Sequence, residues 1–384
     1  MIAPEEAWRR IASVARPLPA ERVARRSAGG RVLALPLAAT TEAPFADVSA
    51  MDGFALDGSV RQGAELVVAG TVAAGAAPGF RLPRGGAARI FTGAPLPLGA
   101  DRVIPVEEVE EVAGGRIRLG DLPEAGRHVR RRGEITRPGD RLLEAGDRIG
   151  PSALALLASQ GISEVEVVGA PRLAVVPTGD EVVAPEDEPR PGQLRDSHTD
   201  FLLAAAARLG LAAEPLGIAP DDPAELELRI GLGLAGFDVT LVCGGVSAGD
   251  RDFTETALGR LGARIEFDAV AIQPGKPLVF AHRDRRLVFG LPGNPASAMV
   301  AFRLFVVPAL EILRGGSGAF WQDARPVALA SALAAEPGHE LVRPLAVRGS
   351  HDLATFARAD RLLRVRAGEP ARGAGDEVEA IDWS

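Results

Sequence analysis

From about residue 171 to residue 316 the chain repeats one pattern: an apolar run of strand length, a glycine turn, then a stretch with helical spacing. RLAVVPTG, DVTLVCGG and RLVFGLPG are the runs, and TDFLLAAAARLG, DPAELELRIGLGLA, TETALGRLG and PASAMVAFRLFVVPALEIL are the helical stretches. A strand that is apolar on both faces needs cover on both faces. The alternation therefore predicts a parallel sheet between two helical layers. Right-handed crossovers would then line every strand-to-helix loop along one sheet edge, where ligands bind in such folds.

The flanks have a different texture. Residues 46–133 alternate short apolar runs (AELVVAG, AARIFTG, GRIRL) with closely spaced Gly and Pro, the pattern of a small all-β unit. Pro4 to Val14 reads as a helix, and residues 134–170 pass from turn to helix to strand. Segments 1–45 and 134–170 are expected to form one discontinuous N-terminal domain around the inserted β unit. Residues 317–384 return to short β runs and predict a C-terminal, barrel-like β domain. The expected architecture is α/β plus β and multidomain, with the α/β domain at 171–316; 384 residues suit two to four domains of roughly 150 residues each.

Composition narrows the function. LVVAGTVAAGAAPGF and FRLFVVPALEIL are broken by Gly and Pro or carry Arg303, so no membrane span of about 20 apolar residues is expected. The N-terminal stretch, with Glu5 and Glu6, does not read as a signal peptide and points to the cytoplasm. A net charge of −8 without an aromatic-basic patch argues against nucleic acid. RHVRRRG at 127–133 is a local exception, read as a solvated face or an anion-binding segment. Cys243, the single cysteine, follows an apolar run and reads as a small buried hydrophobe, not a nucleophile. Lys276 is the only lysine and Asn294 the only asparagine, and both sit in Pro/Gly turns, PGKP and LPGNP.

Three strand-end loops carry complementary chemistry. TGDE (178–181) offers two carboxylates, GGVSAGDRD (244–252) offers backbone amides, a hydroxyl and two aspartates, and LPGNP (291–295) leads into a helix. Glycine-rich loops at helix N-termini suit phosphate. Asp180, Glu181, Asp250 and Asp252 would repel that anion unless a cation lies between them, which points to Mg²⁺. Lys276 adds a point charge. In the first half, the turn at Asp52 in MDGFAL and Thr92 in FTGAP are informative, yet spacing alone assigns them no function.

PFADVSAMDGFAL, RIFTGAPLPLGADRVIPVEEV, GRHVRRRGEI, VVPTGDEVV, GQLRDSHTDFL, LVCGGVSAGDRD, IQPGKPLVF and LPGNPASAMVAF, in this order, resemble the molybdopterin molybdenumtransferases, the family of the bacterial MoeA proteins and the C-terminal domain of gephyrin. The resemblance runs from about residue 5 to the end. It implies an α/β domain similar to molybdopterin adenylyltransferases, and a homodimer whose active site is composite: the MDG and TGAP segments of one subunit face the α/β domain of the other. It also implies a reaction, in which molybdenum from molybdate enters adenylylated molybdopterin with Mg²⁺ present and AMP is released. A molybdopterin adenylyltransferase would act upstream.

Carried over by motif, the resemblance assigns catalytic positions to Asp52, Thr92, Glu181, Asp252 and Lys276, and metal positions to Glu181, Asp221 and Asp252. Gly244, Gly245, Ser247, Gly249, Pro292, Gly293, Asn294 and Ser297 match the nucleotide and pterin-phosphate loops. Asp196 and Ser197 match a DSN-like element in which His198 stands where Asn is common. Three positions depart from the pattern: Ile135 replaces an acidic residue, and Gln273 and Ala269 stand where cations are found. Two other readings stay open: an adenylyltransferase built on the α/β domain, and a non-catalytic scaffold or cofactor carrier.

Overall fold

The structure, a computed structural model, describes residues 1–245, 253–321, 323–329, 332–333, 338–344 and 353–382. The chain divides into two compact units: Met1–Ala34, Gly146–Gly150 and Glu164–Ser384 make one, and Leu35–Ala145 with Pro151–Ser163 make the other.

At the centre of the larger unit is a six-stranded sheet in the order Ala213–Pro215, Leu173–Pro177, Val239–Cys243, Arg286–Leu291, Pro277–Arg283, Arg264–Ala269. Alternate residues face opposite layers, so Val175, Leu241 and Phe289 pack under the helices His198–Arg208, Pro295–Leu313 and Pro4–Val14. Val176, Val242 and Val288 pack under Pro223–Gly236 and Phe253–Arg260. Each fully buried Val, Leu or Phe contributes about 1.5–3 kcal/mol, which is why these runs carry no polar alternation.

The expectation of an all-parallel sheet needs correction. The first four strands are parallel, but Pro277–Arg283 runs antiparallel to both of its neighbours. Arg283 pairs with Arg286, so only Asp284 and Arg285 connect the two strands, and Asp284 takes a φ of 53°. A parallel return requires a crossover of a dozen or more residues; two residues permit only a hairpin. The reversal brings Lys276 and Pro277 beside the carboxyl end of Arg286–Leu291.

The helical spacing of PASAMVAFRLFVVPALEIL is realised, while the expectation that this stretch falls short of a membrane span by length and composition is corrected. Pro295–Leu313 is one 19-residue helix of mean hydropathy 1.8, long and apolar enough by length and composition to cross a membrane, and 67% buried in the core. Its Phe302–Val306 turn is of the wide π type, which accommodates Pro308 and its missing N–H in the following turn.

Ala20–Ala24 pairs with Glu164–Val168, so the strands flanking the smaller unit's sequence meet within the larger one. The larger unit also holds a sheet in the order Ile272–Gln273, Glu340–Pro344, Arg361–Val365, Glu377–Asp382, Arg325–Ala328. Arg364 is buried there, 2.8 Å from Glu340 and ion-paired with Glu5, with its guanidinium over the rings of Phe320 and Trp321. In the smaller unit, strands between Gly53 and Leu119 form a mixed six-stranded sheet around Phe54, Leu56, Ile104 and Ile117.

Candidate functional site

At the carboxyl ends of Leu173–Pro177 and Val239–Cys243 the larger unit opens a cavity of about 320 Å³. Glu181, Asp196, His198, Asp221, Gly244, Gly245 and Gly293 are on its wall. Backbone shape makes the room. Gly244 has a φ of 101°, and a Cβ there would lie 2.7 Å from Thr178 Oγ1 and 2.8 Å from the Thr178 carbonyl oxygen. Gly179 has a φ of 134°, and a Cβ would meet the Glu181 carboxylate at 2.6 Å. The Asp221 N–H donates to Asp180 Oδ1 at 3.0 Å, so Asp180 holds the loop that presents Asp221. The Gly244 N–H is committed to the Leu291 carbonyl at 3.1 Å, so Gly244 shapes the wall without donating to a ligand.

Other predicted residues serve the frame. Asp196 Oδ1 accepts from the N–H groups of His198 (2.9 Å) and Thr199 (3.3 Å), capping the helix His198–Arg208. Asn294 Oδ1 accepts from the Ser297 N–H at 3.2 Å and caps Pro295–Leu313. Asn294, Ser297 and Pro292 are not on the cavity wall, and Ser197 lines a separate groove against Phe201 and Phe302. Lys276 is exposed, immediately before the wall residue Pro277. Gln273 is half-buried in its pairing with Leu341, and the Ala269 carbonyl accepts from the Ile2 N–H. Ser247, Gly249 and Asp252 lie outside the described residues.

Among the wall residues that the sequence did not assign to the site, two carry titratable side chains. Cys243 is buried, and burial pushes its thiol well above the ordinary value, so it stays protonated. His198 is the other; the sequence marks it only as the residue that stands where Asn is common in the DSN-like element.

In the smaller unit, Asp52 and Thr92 meet although 40 residues separate them. Asp52 Oδ1 accepts from the Thr92 N–H and from the Thr92 hydroxyl, both at 2.7 Å. The N–H first, then the hydroxyl, with the Arg89 charge as a smaller contribution, hold the carboxyl below the usual aspartate value. A Cβ on Gly53 would overlap the Ile104 carbonyl oxygen, which explains the glycine in MDG. Met51 and Phe91, flanking the pair, are 38% and 36% exposed. Ile135 is 58% exposed. In RHVRRRG, Arg131 pairs with Asp47 at 2.6 Å and Arg132 with Glu42.

Comparison with known proteins identifies the family. Residues 2–161 match the MoeA N-terminal region (domain I and II), and residues 174–312 match a probable molybdopterin binding domain. A molybdopterin molybdenumtransferase of Nostoc sp. is 37% identical over 307 residues, 77% of this chain and 70% of the relative. The chain belongs to the molybdopterin molybdenumtransferase family. As a member it is a transferase of molybdenum cofactor biosynthesis. A molybdopterin molybdenumtransferase of Staphylococcus aureus is 30% identical over 399 residues, 98% of this chain and 94% of the relative. Among solved structures, a molybdopterin biosynthesis MoeA protein from Pyrococcus horikoshii is 30% identical, superposes with a TM-score of 0.84 and covers 100% of this chain and 99% of its own.

Proposed function

We propose that this family member inserts molybdenum from molybdate into adenylylated molybdopterin, releases AMP and requires Mg²⁺. The observation that carries the reading is the cavity: bare backbone at Gly245 and Gly293 beside the carboxylates Glu181 and Asp221. Loops of this kind ahead of helices suit phosphate oxygens, and carboxylates beside a phosphate require a cation. Among the described residues no group of three or more His, Cys, Asp or Glu is placed to hold a metal ion. Mg²⁺ fits nonetheless, because it is commonly held by one or two carboxylates together with substrate phosphates. Glu181 and Asp221 would hold it, with Asp252 as the third carboxylate implied by the resemblance. When bound, Mg²⁺ supplies charge neutralisation at the phosphate and polarises its oxygens.

The chain's own residues do the rest. The loops position the phosphate, Lys276 brings an ammonium to the same sheet edge to draw the molybdate dianion, and the Asp52 carboxylate stays ionised with one oxygen fixed by Thr92. We further propose a homodimer with a composite site, acting in the cytoplasm downstream of a molybdopterin adenylyltransferase. The exposed apolar Met51 and Phe91 on either side of the Asp52–Thr92 pair support a protein surface as its cover.

The test is purified protein with adenylylated molybdopterin, molybdate and Mg²⁺, read as active cofactor and free AMP. Adenylate bound but never released as AMP overturns the transferase reading and leaves the carrier. Molybdopterin-dependent ATP consumption would favour an adenylyltransferase, which does not require the segment 2–161.

A further inference from the structure

Asp180 lies in sequence between two residues of the cavity wall, Gly179 and Glu181, yet its exposed side chain is not on that wall. In the sequence it counts among the carboxylates that a cation would neutralise. The structure gives its carboxylate different work, which begins with how the strand before it ends.

Leu173–Pro177 pairs in parallel with Ala213–Pro215, and past Gly217, with its φ of 82°, the pairing resumes for one step. The Ala219 N–H donates to the Pro177 carbonyl at 2.8 Å, and the Gly179 N–H to the Ala219 carbonyl at 3.0 Å. There the main chain runs out of partners. Pro220 has no N–H, and the chain at Asp180 is already turning, with the Val182 N–H bonded to the Gly179 carbonyl at 3.1 Å. The Asp180 side chain supplies the next acceptor: its Oδ1 receives the Asp221 N–H at 3.0 Å, where a strand carbonyl would otherwise have served. A carboxylate oxygen thus prolongs the pairing by one residue and ties the loop carrying Asp221 to the loop carrying Glu181. Asp222 is engaged elsewhere: its Oδ1 accepts from the N–H groups of Ala224 (2.9 Å) and Glu225 (3.0 Å) and caps the helix Pro223–Gly236. Half-buried Asp221 is therefore held from both sides, by Asp180 through its own N–H and by the capped helix that follows.

We infer that Asp180 is a positioning residue: acting through the main chain of Asp221, it sets the Asp221 carboxylate beside Glu181 on the cavity wall. It does so as a hydrogen-bond acceptor, neither as a ligand of the cation nor through its charge. The inference deepens the proposed function and rests on its assignment of Glu181 and Asp221 to Mg²⁺.

The test compares full-length wild type, Asp180→Ala and Asp180→Asn, with Mn²⁺ as a paramagnetic stand-in for Mg²⁺. Binding of Mn²⁺ in the presence of AMP is read by electron paramagnetic resonance, and hydrogen exchange of the segment 219–225 is read without metal. Asp180→Ala should weaken Mn²⁺ about ten-fold, the usual cost of losing a group that orients a metal ligand, and should speed exchange at the Asp221 amide. Asp180→Asn keeps an acceptor oxygen and drops the charge, so it should bind Mn²⁺ within about three-fold of wild type and exchange like it. Unchanged Mn²⁺ binding in Asp180→Ala overturns the inference. So does a loss in Asp180→Asn as large as in Asp180→Ala, which would make Asp180 a ligand or a charge, and so does weakened binding with exchange unaltered. The proposed function fails separately: a wild type that shows this pattern yet never releases AMP from adenylylated molybdopterin keeps the positioning role and loses the transferase. A wild type that binds no Mn²⁺ with AMP overturns the inference together with the Mg²⁺ requirement.

Discussion

Gly244→Ala puts a number on how tightly the cavity wall is built. At a φ of 101° an L side chain costs about 1–3 kcal/mol in backbone strain. The added Cβ would also lie 2.8 Å from the Thr178 carbonyl oxygen, which is backbone and cannot swing aside, and such overpacking costs about 1–3 kcal/mol more. A total of about 3–4 kcal/mol lowers the melting temperature by roughly 10 °C in a unit of this size. Gly30→Ala is the control. Gly30 has a φ of 76° in the same unit, but nothing lies within 4 Å of its Cβ position, so backbone strain alone applies, about 1 kcal/mol and roughly 3 °C. The segments of the smaller unit contain no tryptophan, and Trp8 and Trp321 lie in the larger unit, so intrinsic fluorescence follows its unfolding. Equal falls for the two variants would refute the steric argument.

Three more expectations follow from the same geometry. Thr92→Val removes the hydroxyl bond to Asp52 but keeps the N–H bond, so the depressed carboxyl rises part of the way to its ordinary value. Because the ionised form persists above the folded-state pKa and is lost as pH falls through it, the acid limb of the pH–activity profile moves to higher pH; an unmoved limb counts against Asp52 as the titrating group. Arg364→Ala strands the Glu340 carboxylate, which burial already pushes up, and should cost about 3–5 kcal/mol in denaturant titration, whereas Arg364→Met with Glu340→Gln recovers most of it. The Cys243 thiol should resist alkylation in the native protein and react once denaturant is added; fast native labelling would contradict its burial.

What the sequence discloses depends on the range of the interaction. The helix Pro4–Val14 and the runs RLAVVPTG and DVTLVCGG carry local periodicity and local turns, and the structure forms them where the patterns lie. PLVFAHR has the same texture as the parallel strands, and its reversed direction follows from a two-residue turn that reads as unremarkable polar sequence. The helix through Pro308 is legible in its spacing, but the widened turn that accommodates the proline is not. Glu181 stands on the cavity wall as its strand-end loop suggests and Asp221 stands there as the family resemblance implies, whereas the meeting of Asp52 with Thr92 is set by sheet pairing across 40 residues. His198 is marked in sequence only by its place in the DSN-like element; its burial on the cavity wall is a property of packing.

The position of Lys276 has a practical side. It is the only lysine in 384 residues and it is exposed, one residue before a wall of the cavity. Apart from a terminal amine, every acylating reagent therefore has one address on this protein. A reporter attached there would sit at the mouth of the ligand edge without mutagenesis, and its rate of attachment, compared with and without ligand, would read occupancy directly by mass.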